Sequence, residues 1–246
     1  MSYNLDQYTL QQLRTLAKEM GLAARRSKSE MIRDISSAFS EYETYKKEKI
    51  DKYRRLRQLG NKGKEGTTYL IVDEKGSEFA MKTFRKAKSS STLKREYKFL
   101  KKAGKAGISP SVYSHDTVSK YIIMDVMEKH LVDAIMTEQK GVLYRYQQLQ
   151  VLQIFRTLDE LKIFHGDANL TNYMLKGKKI YIIDFGFARE ITDKLCKKLG
   201  TENPNSELML LGFILKLKEL TCEPASWKYL LKHLPKKTKE KYGLIE

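Results

Sequence analysis

The most informative part of the sequence lies between His165 and Gly186. It begins His165-Gly166-Asp167-Ala168-Asn169-Leu170-Thr171-Asn172, turns at Gly177, and ends Ile180-Tyr181-Ile182-Ile183-Asp184-Phe185-Gly186. An acid and an amide on a predicted loop are thus followed by a buried strand that delivers a second acid to a glycine turn. Oxygen ligands in this arrangement suit a hard cation that bridges phosphate oxygens. The stretch therefore predicts a phosphate and metal site.

Asp184 carries most of this argument. The strand before it is apolar on both faces apart from Tyr181, so we expect the strand to be interior. A carboxylate at its end is costly to bury unless it meets a positive charge or a metal, and a metal is the simpler explanation. The alternative is that Asp184 only caps a strand and that His165 is a core histidine. That alternative fits either piece alone, but not both in this order and spacing.

In their order and spacing, these motifs resemble the catalytic loop and the magnesium loop of the protein-kinase-like fold. Gly166 stands where most protein kinases carry Arg, and Asn169 stands where serine/threonine kinases carry Lys. The His-Gly-Asp sequence is similar to the small atypical kinases of the tRNA-modifying KEOPS complex and to aminoglycoside and choline phosphotransferases. In its compactness the chain also resembles kinases of large DNA viruses. The resemblance covers residues 53–220.

The resemblance implies an α+β, bilobal fold, with an antiparallel β N-lobe and a reduced helical C-lobe. We expect this kinase-like domain at residues 53–246, preceded by a small helix-loop-helix module at 1–40 and a charged helical connector at 41–52. The length of 246 residues allows a large domain with an appendage, and an apolar content of 41% is enough to build a core.

Net charge and cysteine content restrict the partners and the compartment. A formal charge of +17 attracts phosphate-rich ligands, nucleic acid or acidic protein surfaces at low salt. Cys196 and Cys222 have no metal-binding spacing, which fits a reducing compartment. Because no apolar run approaches about 18 residues and no leader is recognisable, we expect no membrane partner. We expect an intracellular protein in the cytoplasm or nucleus, or in the virion or viral factory if the chain is viral.

Residues 8–39 are predicted to form two short amphipathic helices around a basic turn. After Thr9, apolar residues fall at helical spacing, and Gly21 is the expected end of the first helix. Ser29 is expected to cap the second helix, which has an apolar stripe of its own.

This order of helix, Gly-Leu bend, basic loop and helix resembles the SAP and Rho-N modules, which bind DNA or RNA. The resemblance implies nucleic-acid binding through residues 1–40, with phosphate contacts from Arg25, Arg26 and Lys28. The remaining basic surface is a further candidate for such contacts. A helical hairpin that docks onto the kinase body is the alternative.

The predicted N-lobe begins with a glycine-rich hairpin. Gly60, Gly63 and Gly66 lie between two predicted strands, where backbone N–H groups can approach phosphate without obstruction from side chains. The spacing departs from the family pattern, in which the first two glycines are closer together. By itself, this glycine pattern is a weak signal for a phosphate-binding loop.

Lys82 stands where the family's Val-Ala-Ile-Lys lysine occurs, with Ala80 over the base. A lysine flanked by apolar residues on a central strand needs an anion, and Glu96 on the next predicted helix is the best candidate. The strand Tyr121–Met124 then resembles the connection to the hinge between the lobes.

The resemblance places the adenine at this hinge. The backbone of Asp125 and Met127 would bind the adenine edge, with Met124 behind it and Met174 as its floor.

A helix is predicted over about residues 144–162, with Leu149 among its buried residues. Further along, Glu207 begins a segment that resembles the central helix of the C-lobe, and it takes the place of the usual Asp. Because Gly166 cannot pair with a phosphate, control by phosphorylation of the activation loop is not expected.

The implied cofactors are ATP and Mg²⁺. Lys82, held by Glu96, would bind the non-transferred phosphates, Asn172 and Asp184 would hold Mg²⁺, and Asp167 would orient the acceptor hydroxyl. The predicted function is a serine/threonine protein kinase whose nucleic-acid-binding module brings it to protein substrates, including DNA-bound ones. The alternatives are a small-molecule phosphotransferase or ATPase of the same fold, and a non-catalytic nucleic-acid-binding adaptor. Substrate, source and oligomeric state stay open.

Overall fold

A computed structural model describes residues 4–23, 25, 27–49, 52–60, 63 and 65–244 of the chain, without the side chains of 42–49. Contacts divide the chain into two units, residues 1–57 with 71–78 and residues 58–70 with 79–246. The first unit carries helix α1 (Leu10–Glu19) and helix α2 (Lys28–Lys49).

Helix α1 begins and ends where the sequence predicted. The Thr9 hydroxyl accepts a hydrogen bond from the Gln12 N–H at 3.3 Å, and the Gln12 side chain accepts one from the Thr9 N–H at 2.8 Å. This reciprocal capping fixes the start of the helix. Gly21 follows the helix at φ +76°, a left-handed conformation that glycine adopts without strain. Both ends of α1 are therefore explained by local sequence.

Helix α2 begins earlier than predicted. Ser27, and not Ser29, caps it, because the Glu30 N–H donates to the Ser27 hydroxyl at 3.2 Å and this hydroxyl donates to the Glu30 carboxylate at 2.8 Å. A Ser-x-x-Glu sequence favours this pairing, and here it starts at Ser27. The helix then continues without a break through residues 41–49, which were predicted as a separate connector.

The predicted apolar stripes pack against each other in the first unit. Leu13 and Ala17 of α1 and Met31 and Ile35 of α2 are buried together, and Leu5 joins them. The spacing of these residues places each set on one helix face. The two helices therefore share a small apolar core of their own.

The N-terminal part of the kinase-like region is an antiparallel sheet. Its strands are β1 (Arg54–Leu59), β2 (Gly66–Val72), β3 (Glu78–Phe84), β4 (Val112–Asp116) and β5 (Tyr121–Met124). The sheet order is β1-β2-β3-β5-β4, and Ala80 of β3 lies opposite Met124 of β5. Helix α3 (Ser90–Lys105) follows β3, capped by Ser89. This order places a helix after the strand that carries Lys82.

The rest of the second unit is mainly helical. Its elements are β6 (Lys129–His130), α4 (Leu131–Asp133), α5 (Arg145–Glu160), β7 (Ile163–Phe164), β8 (Tyr173–Lys176), β9 (Lys179–Ile182), β10 (Arg189–Glu190), α6 (Asp193–Leu199), α7 (Leu210–Leu220), α8 (Lys228–Leu231) and α9 (Lys236–Lys241). A π-helical turn, Asn205–Met209, leads into α7. Strands β6, β8 and β9 form one sheet in that order, and β7 pairs with β10. Among the residues described, no helix is both long and apolar enough to cross a bilayer.

Aromatic side chains join the elements around the predicted catalytic loop. Phe155 of α5, Tyr173 of β8 and Phe213 of α7 are buried and meet edge to face, with ring centroids 4.9 to 6.2 Å apart. The prediction that Leu149 is buried in α5 is wrong, because 48% of its surface is exposed. Helix α5 buries the face that carries Phe155 and Leu158, and Leu149 lies outside that stripe.

Candidate active site

Lys82 and Glu96 form the ion pair expected from the sequence. The Lys82 Nζ donates to Glu96 Oε1 at 2.8 Å and to Asp184 Oδ1 at 3.0 Å. Burial disfavours the ammonium, but the charges of Glu96 and Asp184 outweigh it and raise the pKa of Lys82 above its usual value. Lys82 therefore stays charged and joins β3, α3 and the turn after β9.

Asp184 occupies that turn in a left-handed conformation, with φ +65°. The Gly186 N–H donates to its Oδ1 at 3.4 Å. Burial opposes ionisation, but the Lys82 ammonium holds the pKa of Asp184 below its usual value. Within the described part of the chain, Oδ2 enters no hydrogen bond or ion pair. The turn therefore presents an ionised carboxylate with one oxygen available to a cation.

Asp167 and Asn172 lie together on the catalytic loop. Asp167 Oδ2 accepts a hydrogen bond from Asn172 Nδ2 at 2.9 Å, and Oδ1 accepts one from the Asn169 N–H at 3.1 Å. The Ile183 N–H donates to the Asn172 carbonyl at 2.9 Å, which ties the loop to the end of β9. Two donors thus fix the direction of the Asp167 carboxylate, and the loop is held beside Asp184.

His165 supports this loop from the interior. Its imidazole is buried, with ring nitrogens 3.2 Å from the Asp167 carbonyl and 3.0 Å from the Ile183 carbonyl. Burial lowers the pKa of His165, and the two facing carbonyls oppose this effect. The imidazole packs edge to face on Phe185. His165 therefore positions backbone on both sides of the site and is held among the core residues.

Asn205 and Asp159 anchor the loop and were not predicted. The His165 N–H donates to Asn205 Oδ1 at 3.0 Å, and Asn205 Nδ2 donates to Asp159 Oδ1 at 2.7 Å. The sequence pattern assigned Glu207 the place of the usual Asp at this point, but Glu207 accepts instead from the Thr201 hydroxyl at 2.6 Å. An isolated Asn in an irregular segment carried no signal that would have identified it.

Glycines bring backbone close to the catalytic loop at two points. Gly166 has φ +79°, a conformation that a side chain would strain. A Cβ added to Gly212 would lie only 2.7 Å from the Cβ of Ala168. Helix α7 therefore packs against the loop with no space for a side chain at Gly212.

The glycine-rich hairpin is built differently from the prediction. Gly60 takes φ +63°, whereas Gly66 begins β2, where a Cβ would lie 2.0 Å from the Thr83 carbonyl. Gly66 is thus required by strand packing. The Gly63 N–H donates to the Gly66 carbonyl at 3.0 Å, so it is already used within the hairpin. Phosphate binding by these glycines stays a prediction.

Glu65 and Lys88 were not predicted as site residues. Lys88 Nζ lies 2.6 Å from Glu65 Oε2 and 2.5 Å from Glu96 Oε2. Carboxylate oxygens of Glu65, Glu96 and Asp184 lie within 4.8 Å of one another. The ammoniums of Lys82 and Lys88 already neutralise part of this cluster. In a chain with 47 basic residues, Lys88 had no distinguishing pattern.

The hinge segment after β5, which is predicted to bind adenine, is fixed by hydrogen bonds. The Asp125 N–H donates to the Ser111 carbonyl at 3.0 Å, and the Asp125 carboxylate accepts from the Ser111 N–H at 2.9 Å. Burial opposes its ionisation, but the hydrogen bonds that the carboxylate accepts from the Ser111 N–H and the Tyr113 hydroxyl lower the pKa of Asp125. Among the described residues, the Asp125 carbonyl and the Met127 N–H enter no hydrogen bond. Those two groups are the ones a purine edge could use.

Strand pairing gives the positions of Ala80, Met124 and Met174, the other residues predicted to contact adenine. Ala80 is buried and pairs with Met124 across β3 and β5, and Met174 pairs with Tyr181 in the sheet of β8 and β9. Their contacts with a base stay predictions.

The donor set fits Mg²⁺ and nucleotide phosphates. In the described part of the chain, the Asn172 side-chain oxygen forms no hydrogen bond, like Asp184 Oδ2. Hard oxygen donors of this kind suit Mg²⁺, which keeps further positions for phosphate and water. Lys82 lies beside them as a fixed cation. These residues could hold Mg²⁺ with a nucleotide.

Two of the three residues predicted to contact nucleic acid fall in the described part of the first unit. Arg25 Nε pairs with Asp34 at 2.8 Å, and Lys28 Nζ donates to the Asp6 carbonyl at 2.7 Å. Arg26 lies outside the described residues. Both described side chains therefore have partners within the unit, and their role in nucleic-acid binding stays a prediction.

Comparison with known proteins establishes the family. The model of the family described as "Protein kinase domain" matches residues 53–204. This chain therefore belongs to the protein kinase domain family, whose members are phosphotransferases. The α+β kinase-like fold expected from the sequence is confirmed.

Three known proteins are similar to part of this chain. The chain is 32% identical over 99 residues to the "KEOPS complex subunit Bud32" of Pyrococcus abyssi, over 38% of this chain and 43% of the relative. It is 33% identical over 104 residues to a "Probable bifunctional tRNA threonylcarbamoyladenosine biosynthesis protein" of Methanobrevibacter smithii, over 40% of this chain and 17% of the relative. It is 37% identical over 79 residues to the "Putative serine/threonine-protein kinase L232" of Acanthamoeba polyphaga mimivirus, over 30% of this chain and 12% of the relative.

This chain thus spans less than half of each of these relatives. The expected similarity to KEOPS-associated small kinases and to a kinase of a large DNA virus is confirmed.

Proposed function

We propose that this chain is an ATP- and Mg²⁺-dependent serine/threonine protein kinase. The observation that carries the proposal is the arrangement of Asp167, Asn172 and the Lys82–Asp184 pair around one position in the second unit. Similarity to a mimivirus protein named as a serine/threonine kinase supports the acceptor class.

Each residue has a defined task in this proposal. Bound Mg²⁺ would neutralise charge on the phosphates, held by Asn172 and Asp184. Lys82, fixed by Glu96, would bind the non-transferred phosphates. Asp167 would accept a hydrogen bond from the acceptor hydroxyl and take its proton late in the transfer. Because two N–H donors already orient Asp167, little reorganisation is needed when the acceptor arrives.

Substitution of the two acids tests the proposal. With radiolabelled ATP, Mg²⁺ and a generic basic protein, the parent should label its substrate. Asp184→Asn should lose Mg²⁺-dependent nucleotide binding. Asp167→Asn should keep binding, while transfer falls by about 10² to 10⁴. Glu219→Gln, at an exposed carboxylate on α7, is the matched control and should label as the parent does. Equal labelling by all the variants would show that the site is wrongly assigned.

A second function, phosphoryl transfer to water, is favoured by Asn169. Serine/threonine kinases carry a lysine here, whereas the Asn169 side chain accepts a hydrogen bond from the Thr171 N–H at 3.2 Å and so caps the loop. With asparagine at position 169, this position offers no cation to stabilise transfer to a protein hydroxyl. Phosphate release without any acceptor protein, abolished by Asp184→Asn, is the outcome that would support an ATPase over a protein kinase.

The N-terminal module is proposed to bind nucleic acid and to bring the kinase to DNA-bound protein substrates. Its support is the sequence resemblance and the basic residues Arg25, Arg26 and Lys28. The ion pair between Arg25 and Asp34 would have to exchange for a phosphate contact. The alternative is that the module docks onto the kinase body of this protein. Salt-dependent binding of nucleic acid by the module would support the first possibility over the second.

A further inference from the structure

Glu96 is held by two lysines. Lys82 Nζ lies 2.8 Å from Glu96 Oε1, and Lys88 Nζ lies 2.5 Å from Glu96 Oε2. The side chains of Glu96 and Lys88 are only 3% and 8% exposed. Lys82 is shared between Glu96 and Asp184, so Lys88 supplies a second positive charge that this acidic cluster needs.

Lys88 is directed into the site by its backbone. Its N–H donates to the Arg85 carbonyl at 3.0 Å, and its carbonyl accepts from Lys120 Nζ at 2.8 Å. These contacts fix the segment between β3 and α3. The Lys88 ammonium is therefore presented at a defined point beside Glu96.

The other partner of Lys88 comes from the glycine-rich hairpin. Glu65 Oε2 lies 2.6 Å from Lys88 Nζ, and the Arg85 N–H donates to the Glu65 carbonyl at 3.0 Å. The Glu65 carboxylate also reaches the turn after Asp184, since a Cβ on Gly186 would lie 2.9 Å from Glu65 Oε2. An anionic side chain thus lies next to the turn that is proposed to serve Mg²⁺ and phosphates.

The net charge of this cluster disfavours nucleotide phosphates as long as Glu65 is paired with Lys88. Glu65, Glu96 and Asp184 are acidic and only Lys82 and Lys88 oppose them among the described residues, so one carboxylate is in excess. Nucleotide phosphates brought beside Glu65 would be repelled. The same phosphates would be attracted by Lys88 if Glu65 released it.

We propose that the ion pair of Glu65 with Lys88 is a latch, and that nucleotide phosphates open it by replacing Glu65 on Lys88. Lys88 is then a second phosphate-binding lysine, anchored on Glu96, and Glu65 is a competitor for the nucleotide. The competition rests on the proposed ATP-binding function, but the closed latch is a property of the nucleotide-free chain.

Hydrogen exchange without nucleotide tests the closed latch. Glu65→Gln should speed exchange of the Gly63 and Arg85 amides by about 1.5-fold to fivefold, the range for loss of a partly exposed ion pair. Lys88→Met should speed it at least as much, because it also removes the pair with Glu96. The double variant should exchange no faster than Lys88→Met, because Lys88→Met already removes the contact that Glu65→Gln weakens. Lys88→Arg should restore protection. Lys86→Met and Glu219→Gln, at exposed charges outside the cluster, should exchange as the parent does. Unchanged exchange in Glu65→Gln and Lys88→Met overturns the latch.

Binding of adenylyl imidodiphosphate with Mg²⁺ tests the competition. Glu65→Gln should lower Kd by about 1.5-fold to fivefold, whereas Lys88→Met should raise it, since the first removes a competitor and the second removes a ligand. In turnover, Glu65→Gln should change KM for ATP and leave kcat nearly constant. Shifts of Kd in the same direction overturn the replacement of Glu65 by phosphate. A parent that binds no nucleotide overturns the proposed function, and the exchange result is then judged by itself.

Discussion

Asn205 is the residue whose replacement should disclose most about how the catalytic loop is held. Its side chain is fully buried and contacts three partners: it accepts from the His165 N–H and donates to Asp159 and to the Ile163 carbonyl. Asn205→Ala removes all three hydrogen bonds. Asn205→Asp keeps the acceptor for the His165 N–H, but it loses both donated hydrogen bonds and places a carboxylate oxygen 2.7 Å from Asp159. Because lost hydrogen bonds do not titrate, the pH dependence of Asn205→Asp separates the added charge from them.

The magnitudes can be worked from these contacts. Each lost hydrogen bond costs about 1 kcal/mol, and buried groups left without partners add to this, so Asn205→Ala should lose about 3 to 5 kcal/mol of unfolding free energy. In Asn205→Asp, two like charges about 4 Å apart at an effective dielectric constant of about 20 repel by about 4 kcal/mol. This loss should shrink as the pH falls toward about 4, because protonation of one carboxyl removes the repulsion and restores a donor. At about pH 8 it should be complete.

Urea unfolding followed by tryptophan fluorescence measures both variants. The chain has a single tryptophan, Trp227, which is buried in the second unit. The parent and Asn205→Ala should respond similarly to pH between about 5 and 8, whereas Asn205→Asp should become less stable as the pH rises. Asn203→Asp, at an exposed neighbour, is the control. If Asn205→Asp has the stability of the parent across this range, the buried network does not hold the loop as described.

Three further outcomes are expected. Gly66→Ala should destabilise the fold by about 2 kcal/mol or more in thermal unfolding, because its Cβ would overlap the Thr83 carbonyl, 2.0 Å away; a parent-like Tm contradicts this. Protein made in a kinase-free host and shown by mass spectrometry to be unphosphorylated should be active at once, because Gly166 offers no partner for a loop phosphate, and a lag removed by another kinase contradicts it. Nucleic-acid binding should show a salt slope of about −0.9 for each phosphate contacted, and alanine at Arg25 and Lys28 should reduce it. Unchanged affinity and slope would leave the helices as a docking element.

Local pattern accounts for the parts of the site that were predicted correctly. Lys82 lies on an apolar strand, and Glu96 lies among apolar residues on the next helix, so each required a partner of opposite charge. The ends of α1 were readable for the same reason, since Thr9 and Gly21 act on their immediate neighbours. The start of α2 was also readable, because Ser27 and Glu30 have capping-box spacing, although Ser29 was preferred.

Tertiary contacts account for the residues that were missed. Asn205 meets His165 across 40 residues, and Lys88 meets Glu65 across 23. Neither pair leaves a periodic trace in the sequence, and many polar residues in irregular segments look the same. The exposure of Leu149 has a similar cause, because the face that α5 buries is chosen by the elements that pack on it.

The close approach of Gly212 to Ala168 has a practical consequence. A methyl group at residue 212 would have to push the loop, at a point one residue from Asp167, although position 212 bears no charge. Gly212→Ala is therefore a way to misalign the acid mechanically while every ionisable group of the chain is retained. Such a variant would serve as an inactive reference in binding experiments, where the usual acid-to-amide replacements also change the electrostatic field that draws in ATP.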